Sequence, residues 1–204
     1  PTLTKASLAT KAVAVKSFNK IRAISSRQSA TQTGATLRQL GSQSQLPTNC
    51  FLQNPQHIVI GRRFQAQEGL HLSAVTEQAG EQFQPAITIG DNVSLGANCH
   101  ISCVSEVTIG NWVLIADGVY IADNWRDESP AARHLPPGRR QLLSKGAVVL
   151  HDNVLIEAGA RILSGVTIGR NAIVRAHAVV QENVAPYAIV AGCPARVVGP
   201  APEE

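Results

Sequence analysis

The stretch VYIADNWRDES, residues 119–129, sets Asp123, Asn124, Trp125, Arg126 and Asp127 side by side. It contains no histidine, the side chain whose ordinary pKa best suits proton transfer near neutral pH. Imidazoles occur elsewhere: His100 in NCHISC, His134 in AARHLPPGRR, and His151 and His177 further on. A carboxylate such as Asp123 would need burial before it became a useful base. No Ser/His/Asp arrangement stands out, and the glycines of IGD, LGA and IGR belong to turns of a repeat rather than to a phosphate-binding loop. Cys50, Cys99, Cys103 and Cys193 lack CxxC spacing, which argues against a zinc knuckle or a disulfide scaffold and for free thiols in a reducing compartment.

What must position these groups is a repeat of period six. From Leu150 the steps run Leu150, Ile156, Ile162, Ile168, Val174, Val180; four residues after each stand Val154, Ala160, Val166, Ala172, Ala178, Val184. Neither a helix nor an alternating strand supplies that pattern. The same rule holds upstream for Ile89, Leu95 and Ile101, followed at +4 by Val93, Cys99 and Ser105, and for Ile109 and Ile115, followed by Val113 and Val119. The register slips by two residues between Ile101 and Ile109. A fainter set, Ile60, Ala66 and Leu72, is set apart by the insertion SAVTEQAGEQFQPAIT. Two inward positions per six residues make one flat side of a prism, three sides complete a coil, and each coil buries its ends on the next. The expected fold is an all-β solenoid with one long loop, 122–147, interrupting the coils. Cys99 is expected to be a small corner filler.

The net charge of +4 over 204 residues averages two unlike halves. Residues 1–67 carry nine Lys or Arg and no acid, whereas acids outnumber bases from Glu68 onward. Placed on a helix, Leu3, Ala14, Val15, Phe18 and Ile21 share one face, opposite Lys5, Lys16, Lys20 and Arg27, so the spacing predicts a basic amphipathic helical arm. Three readings of it stand: a helix packed on its own domain or a neighbouring subunit, an interfacial helix on an anionic membrane surface, or a transit peptide. Residues 25–48 read as a polar connector. The division is therefore 1–48 for arm and connector, 49–199 for the solenoid, and 200–204 for a tail. No apolar run approaches the ~18 residues of a membrane span, and the basic stretch lacks the aromatics and reading motifs of a nucleic-acid binder. The expected location is cytoplasmic, with peripheral contact at the inner face of the cell membrane if the arm is interfacial.

The repeats, with GLHLSAVTEQAGEQFQPAITIGDNVSLGANCHISCVSEVTIGNWVLIADGVYIAD, LLSKGAVVLHDNVLIEAGARILSGVTIG and APYAIVAGCPARVVG, resemble the hexapeptide-repeat acyltransferases over roughly residues 50–199. Within that family they are similar to glycan O-acetyltransferases of bacterial surface-polysaccharide biosynthesis. The resemblance implies a left-handed parallel β-helix, a homotrimer with sites between subunits, acetyl-CoA as co-substrate, a sugar or glycan acceptor and no metal.

It also implies site residues. The family's histidine base falls at Asn124, which has no titratable proton, so Asp123 or His134 is the expected substitute; where many relatives have a second histidine stands Arg126. Asn98, His100, Trp125 and Arg126 are expected to meet the substrate, and Ala158, Ala176, Gln181 and Arg196 the coenzyme. Leu155 replaces a common tryptophan, Glu157 and Arg175 replace glycines, and Glu182 replaces a lysine near the coenzyme phosphates. These departures keep open a second function, a non-catalytic trimeric binding or scaffold protein. A third is a zinc hydratase of the γ-carbonic-anhydrase type using His100, His151 and His177.

Overall fold

The computed structural model describes residues 36–200. The helical arm and the end of the tail lie outside the described residues. Within them the six-residue rule is obeyed almost position by position. All twelve positions read from Leu150 to Val184 are buried, with the aliphatic residues on the strands and the small ones at the corners. Cys99 is buried as a corner filler, and its thiol donates to the Ala116 carbonyl at 3.2 Å.

The strands form three parallel sheets, the sides of a prism. The first runs Gln39–Leu40, Ile58–Ile60, Ala86–Ile89, Glu106–Ile109, Val148–Leu150, Thr167–Ile168. The second runs Cys50–Gln53, Leu70–Ala74, His100–Cys103, Tyr120–Ala122, Arg161–Ile162, Val179–Val180. The third runs from Gln65–Ala66 through Ser94–Leu95, Leu114–Ile115, Leu155–Ile156 and Ile173–Val174 to Ala188–Ala191, and is closed by an antiparallel strand, Arg196–Pro200. Residues 36–46, which the sequence presents as the end of a connector, supply the first rungs: Gln39 and Leu40 pair with Val59 and Ile60, and Gln45 bridges to Gln65. The solenoid therefore begins before residue 49.

The sequence step between stacked partners measures each coil. The plain three-sided coil takes Leu150 onto Ile168 and Leu155 onto Ile173. The coil that takes Ile89 onto Ile109 is longer by two residues. Two others are longer still, those taking Ile60 onto Ile89 and Ile109 onto Leu150. The excess of the first of these is a short hairpin, Glu77–Gln78 against Glu81–Gln82. That of the second is the long loop. The two extra residues of the Ile89–Ile109 coil lie at the corner after His100–Cys103, where one sequence expectation fails. Ser105 does not point inward. It is exposed, and Cys103 and Val107 take the inward places on either side of the bulge. Corner glycines have a steric cause, as at Gly90, where a Cβ would lie 2.6 Å from the Gly110 carbonyl of the next coil.

Candidate active site

The bulge leaves three consecutive backbone N–H groups without strand partners, and the next coil supplies their acceptor. The Asp123 carboxylate accepts from Val104 at 2.9 Å, Ser105 at 2.7 Å and Glu106 at 2.8 Å. The Asn124 amide donates to it at 2.9 Å, and the Cys103 sulfur lies 3.5 Å away. Asp123 has no exposed surface. Its lone pairs are directed into the protein, so it is a cap for the corner and not the substitute base that the sequence suggests.

Asn124 occupies the end of this strand. Its amide donates to the Ser102 hydroxyl at 3.2 Å as well as to Asp123, so both amide protons have acceptors on the protein. The chain then leaves the prism. Trp125–Arg126 pairs antiparallel with Leu142–Leu143, Asp127 donates its N–H to the Gln141 carbonyl at 2.9 Å, and a short 3₁₀ turn, Pro137–Arg139, lies at the tip. Ser164 fixes the root of the loop, donating to the Asp123 carbonyl at 2.6 Å and accepting from the Lys145 N–H at 2.8 Å. The Lys145 ammonium stands 5.8 Å from the Trp125 ring centroid. The tip also meets the other insertion, through Gln78 donating to the Gly138 carbonyl at 2.9 Å. Trp125 and Arg126 are exposed beside Asn124. His134 is exposed near the tip, and its side chain makes no hydrogen bond to Asp123 or Asn124. Asn98 is a turn residue at φ 56°, packed over Gly69 rather than set on the sheet.

The outer face of the second sheet carries a feature that sequence reasoning finds only in part. Phe51, His71, His100, Tyr120 and Arg161 are register partners in successive strands. Phe51 and His71 stack at 4.3 Å, His71 and His100 at 4.1 Å with the rings 9° apart, and His100 and Tyr120 lie at 5.2 Å. The Arg161 guanidinium stands 5.5 Å from the Tyr120 ring. Burial holds the imidazole pKa of His71 below its ordinary value. His100 is lowered by burial and then by the positive charge His71 acquires on protonation. Two such rings in face contact favour the neutral form of both.

At the corners assigned to the coenzyme, Glu157 accepts the Ala176 N–H at 2.9 Å and pairs with Arg175 at 2.7 Å. The Arg175 hydrogen bond, followed by that N–H, holds the Glu157 carboxyl below the usual range. Ala176's N–H is thus occupied in the free protein, and Arg196 reaches the Glu182 carboxylate at 3.5 Å. Ala158 is half-buried at the same corner as Ala176, between the third and second sheets, whereas Gln181 is exposed at the other end of the second sheet, after Val179–Val180. Among the described residues no three His, Cys, Asp or Glu side chains gather as a metal site. His151 lines a cleft of about 550 Å³ with Thr167, Arg170 and Asn183 at a different edge, and His177 covers Gly159.

The parallel coils and the broken corner define a parallel β-solenoid interrupted by one long loop. The family profile "bacterial transferase hexapeptide (six repeats)" matches residues 147–182. A putative lipopolysaccharide biosynthesis O-acetyl transferase, WbbJ, of Escherichia coli K12 is 30% identical over 154 residues, 73% of this chain and 74% of that protein. A putative serine acetyltransferase of Schizosaccharomyces pombe is 31% identical over 67% of this chain but only 47% of its own length. Among solved structures, a variant of AntD, an N-acyltransferase from Bacillus cereus in complex with dTDP and coenzyme A, superposes with a TM-score of 0.69 at 21% identity, covering 82% of this chain and 86% of that one. A maltose O-acetyltransferase from Clostridium difficile 630 gives 0.55 at 23% identity, over 82% and 71%. The chain belongs to the bacterial hexapeptide transferase family and is an acyltransferase.

Proposed function

We propose that the protein transfers an acetyl group from acetyl-CoA to a hydroxyl of a sugar or glycan precursor. The observation that carries this is the ordered loop at the second-sheet corner. It sets exposed Trp125 beside Asn124 and Ser102, an apolar ring face next to hydrogen-bonding groups, as a sugar requires. The lipopolysaccharide O-acetyl transferase among the relatives supports the acceptor class, and the coenzyme A complex of AntD supports the donor. In this reading the acceptor lies against Trp125, Arg126 and the second-sheet face, and the coenzyme runs along the Ala158 and Ala176 edge toward Arg196, with Gln181 beside Glu182, the partner of Arg196. The acetylating complex is a homotrimer. An outward aliphatic row on the third sheet, Leu114, Leu155, Ile173 and Ile189, supports this, since such a row suits a subunit contact.

The Glu157 carboxylate on the Ala176 N–H favours the second reading, a relative that keeps the fold without the chemistry. Against it, the bridge is exposed and lies on the surface, where such a pair contributes about 1 kcal/mol or less. A ligand of micromolar affinity, about 8 kcal/mol, displaces it readily. The test is release of free thiol from acetyl-CoA in the presence of a panel of sugars and nucleotide sugars, together with calorimetric titration of coenzyme A. Acceptor-dependent thiol release supports the transferase; no coenzyme A binding and no release with any acceptor removes it.

A further inference from the structure

We infer that His100 is the general base of the acyl transfer, presented from the middle of the ring stack on the second sheet. This rests on the proposed transferase activity and adds the catalytic group that position 124 does not provide.

The argument is one of place. His100 and Ser102 are two residues apart on one strand and face outward together, so their side chains leave the sheet about 7 Å apart at a rise of ~3.3 Å per residue. The Ser102 hydroxyl holds the Asn124 amide. The imidazole therefore stands one side-chain spacing from the strand end where the loop begins. The two other candidates are less well placed: the Asp123 carboxylate is turned inward onto three backbone N–H groups, and His134 is an exposed loop residue whose ring no neighbour among the described residues holds by a hydrogen bond or a stack, unlike that of His100.

The stack also fixes the ring. His71 on one side at 4.1 Å and Tyr120 on the other at 5.2 Å leave His100 little freedom to rotate, and it is only half-buried, so a ring edge reaches solvent. The charged or titratable neighbours along the row are His71 from one strand, Tyr120 from the other, and Arg161 beyond Tyr120; none is an anion that would hold a proton on His100. His71 and burial both favour the neutral imidazole, the form that accepts a proton.

In the step, the unprotonated ring nitrogen takes the acceptor hydroxyl proton as the oxygen forms its bond to the thioester carbon. The tetrahedral adduct collapses with cleavage of the C–S bond, and the imidazolium returns that proton to the coenzyme A thiolate. The products are the acetyl ester and the free thiol, and His100 is regenerated. His71 acts as a positioning residue.

The experiment compares wild type, H100Q, H71Q and N124A. It measures thiol release from acetyl-CoA with the best sugar acceptor found, or with water as acceptor if hydrolysis is the only turnover, over pH 5–9. Coenzyme A affinity and Tm are measured alongside. The expected result for H100Q is a fall in kcat of about 10²–10³-fold, within the range of a positioned base, with coenzyme A affinity unchanged and Tm lowered by no more than the few degrees that loss of one half-buried ring from the stack accounts for. In wild type, kcat/KM loses activity as pH falls through a pKa below 6.5, equal to the His100 pKa read by NMR of the imidazole. H71Q moves that limb upward, and N124A keeps it. H100Q with wild-type turnover, or an acid limb that survives in H100Q, overturns the assignment while leaving the transferase intact. Wild-type protein that neither binds coenzyme A nor releases thiol overturns both.

Discussion

Replacing Asp123 separates a structural carboxylate from a catalytic one. Its oxygens accept three backbone N–H groups and one amide N–H from a site with no solvent exposure. In Asp123→Ala those three backbone donors lose their partner inside the protein, where each unsatisfied group costs about 1–3 kcal/mol. Partial relaxation of an exposed corner brings the total to about 3–5 kcal/mol rather than the full sum. For a domain of this size about 1 kcal/mol corresponds to ~2–4 °C, so Tm should fall by roughly 10–15 °C. Asp123→Asn keeps the shape and one acceptor oxygen but turns an NH2 toward an N–H, and should fall by about half as much. The measurement is thermal unfolding by circular dichroism, run beside the thiol-release assay at a temperature where both variants remain folded. Either variant losing activity while its melting temperature stays at the wild-type value would refute the capping role and restore Asp123 as a catalytic candidate.

Three further outcomes follow from the same geometry. Cys193 is exposed and should react with a maleimide within minutes. Cys99, whose thiol burial pushes up to about 11, and Cys103, pushed higher still by burial and the Asp123 charge, should stay unlabelled until denaturant is added; mass spectrometry of the labelled peptides decides this. Glu157→Ala frees the Ala176 N–H and should tighten coenzyme A binding by about fivefold, the equivalent of ~1 kcal/mol, read by calorimetry at fixed salt; weaker binding would show that Glu157 helps hold the donor. His71 and His100 have folded pKa values below the unfolded 6.5, so the unfolded chain binds more protons as pH falls through that value. Their contribution to stability is present above pH 6.5 and is lost as pH falls through the lower folded values, so the urea midpoint at pH 5 should lie below that at pH 7.5, with the gap narrowed in H71F.

The period-six pattern is legible because a prism core leaves few choices. Every inward position needs a side chain of one size class, and a coil of three equal sides prints that need directly into the sequence. Ser105 misleads because the slip of two residues shows that a bulge exists but not on which side of it the inward register resumes. The role of Asp123 is illegible for a deeper reason. Its partners Val104, Ser105 and Glu106 lie 19, 18 and 17 residues back, and only the stacking of the coils brings them beneath it. The ring stack is hidden in the same way: His71 and His100 meet across the one coil that carries the hairpin, far apart in sequence. His100 can be suspected alone, but its neighbours cannot. The connector reads as linker because its few apolar residues, Leu37, Leu40 and Leu46, are too sparse to show the period, although Leu37 and Leu46 pack on the core.

Where the coils are plain, from Leu150 to Val184, the interior is aliphatic and small. The groups proposed to act on the acceptor lie where a coil departs from the plain length, while the edge proposed for the coenzyme lies on the plain coils. The two-residue bulge creates N–H groups that only an aspartate one coil on can satisfy, and this holds the strand end bearing Asn124 at a set height. The coil with the long loop leaves the prism at that strand end, and its return is tied to the same point through Ser164, which bonds the Asp123 carbonyl and the Lys145 N–H. Bulge, cap and loop root are thus one mechanical unit, with His100 on the strand below it. Asp123 therefore affects turnover only through the position of that unit, whereas His100 meets the acceptor proton directly. This is why the two substitutions should divide so cleanly between melting temperature and kcat.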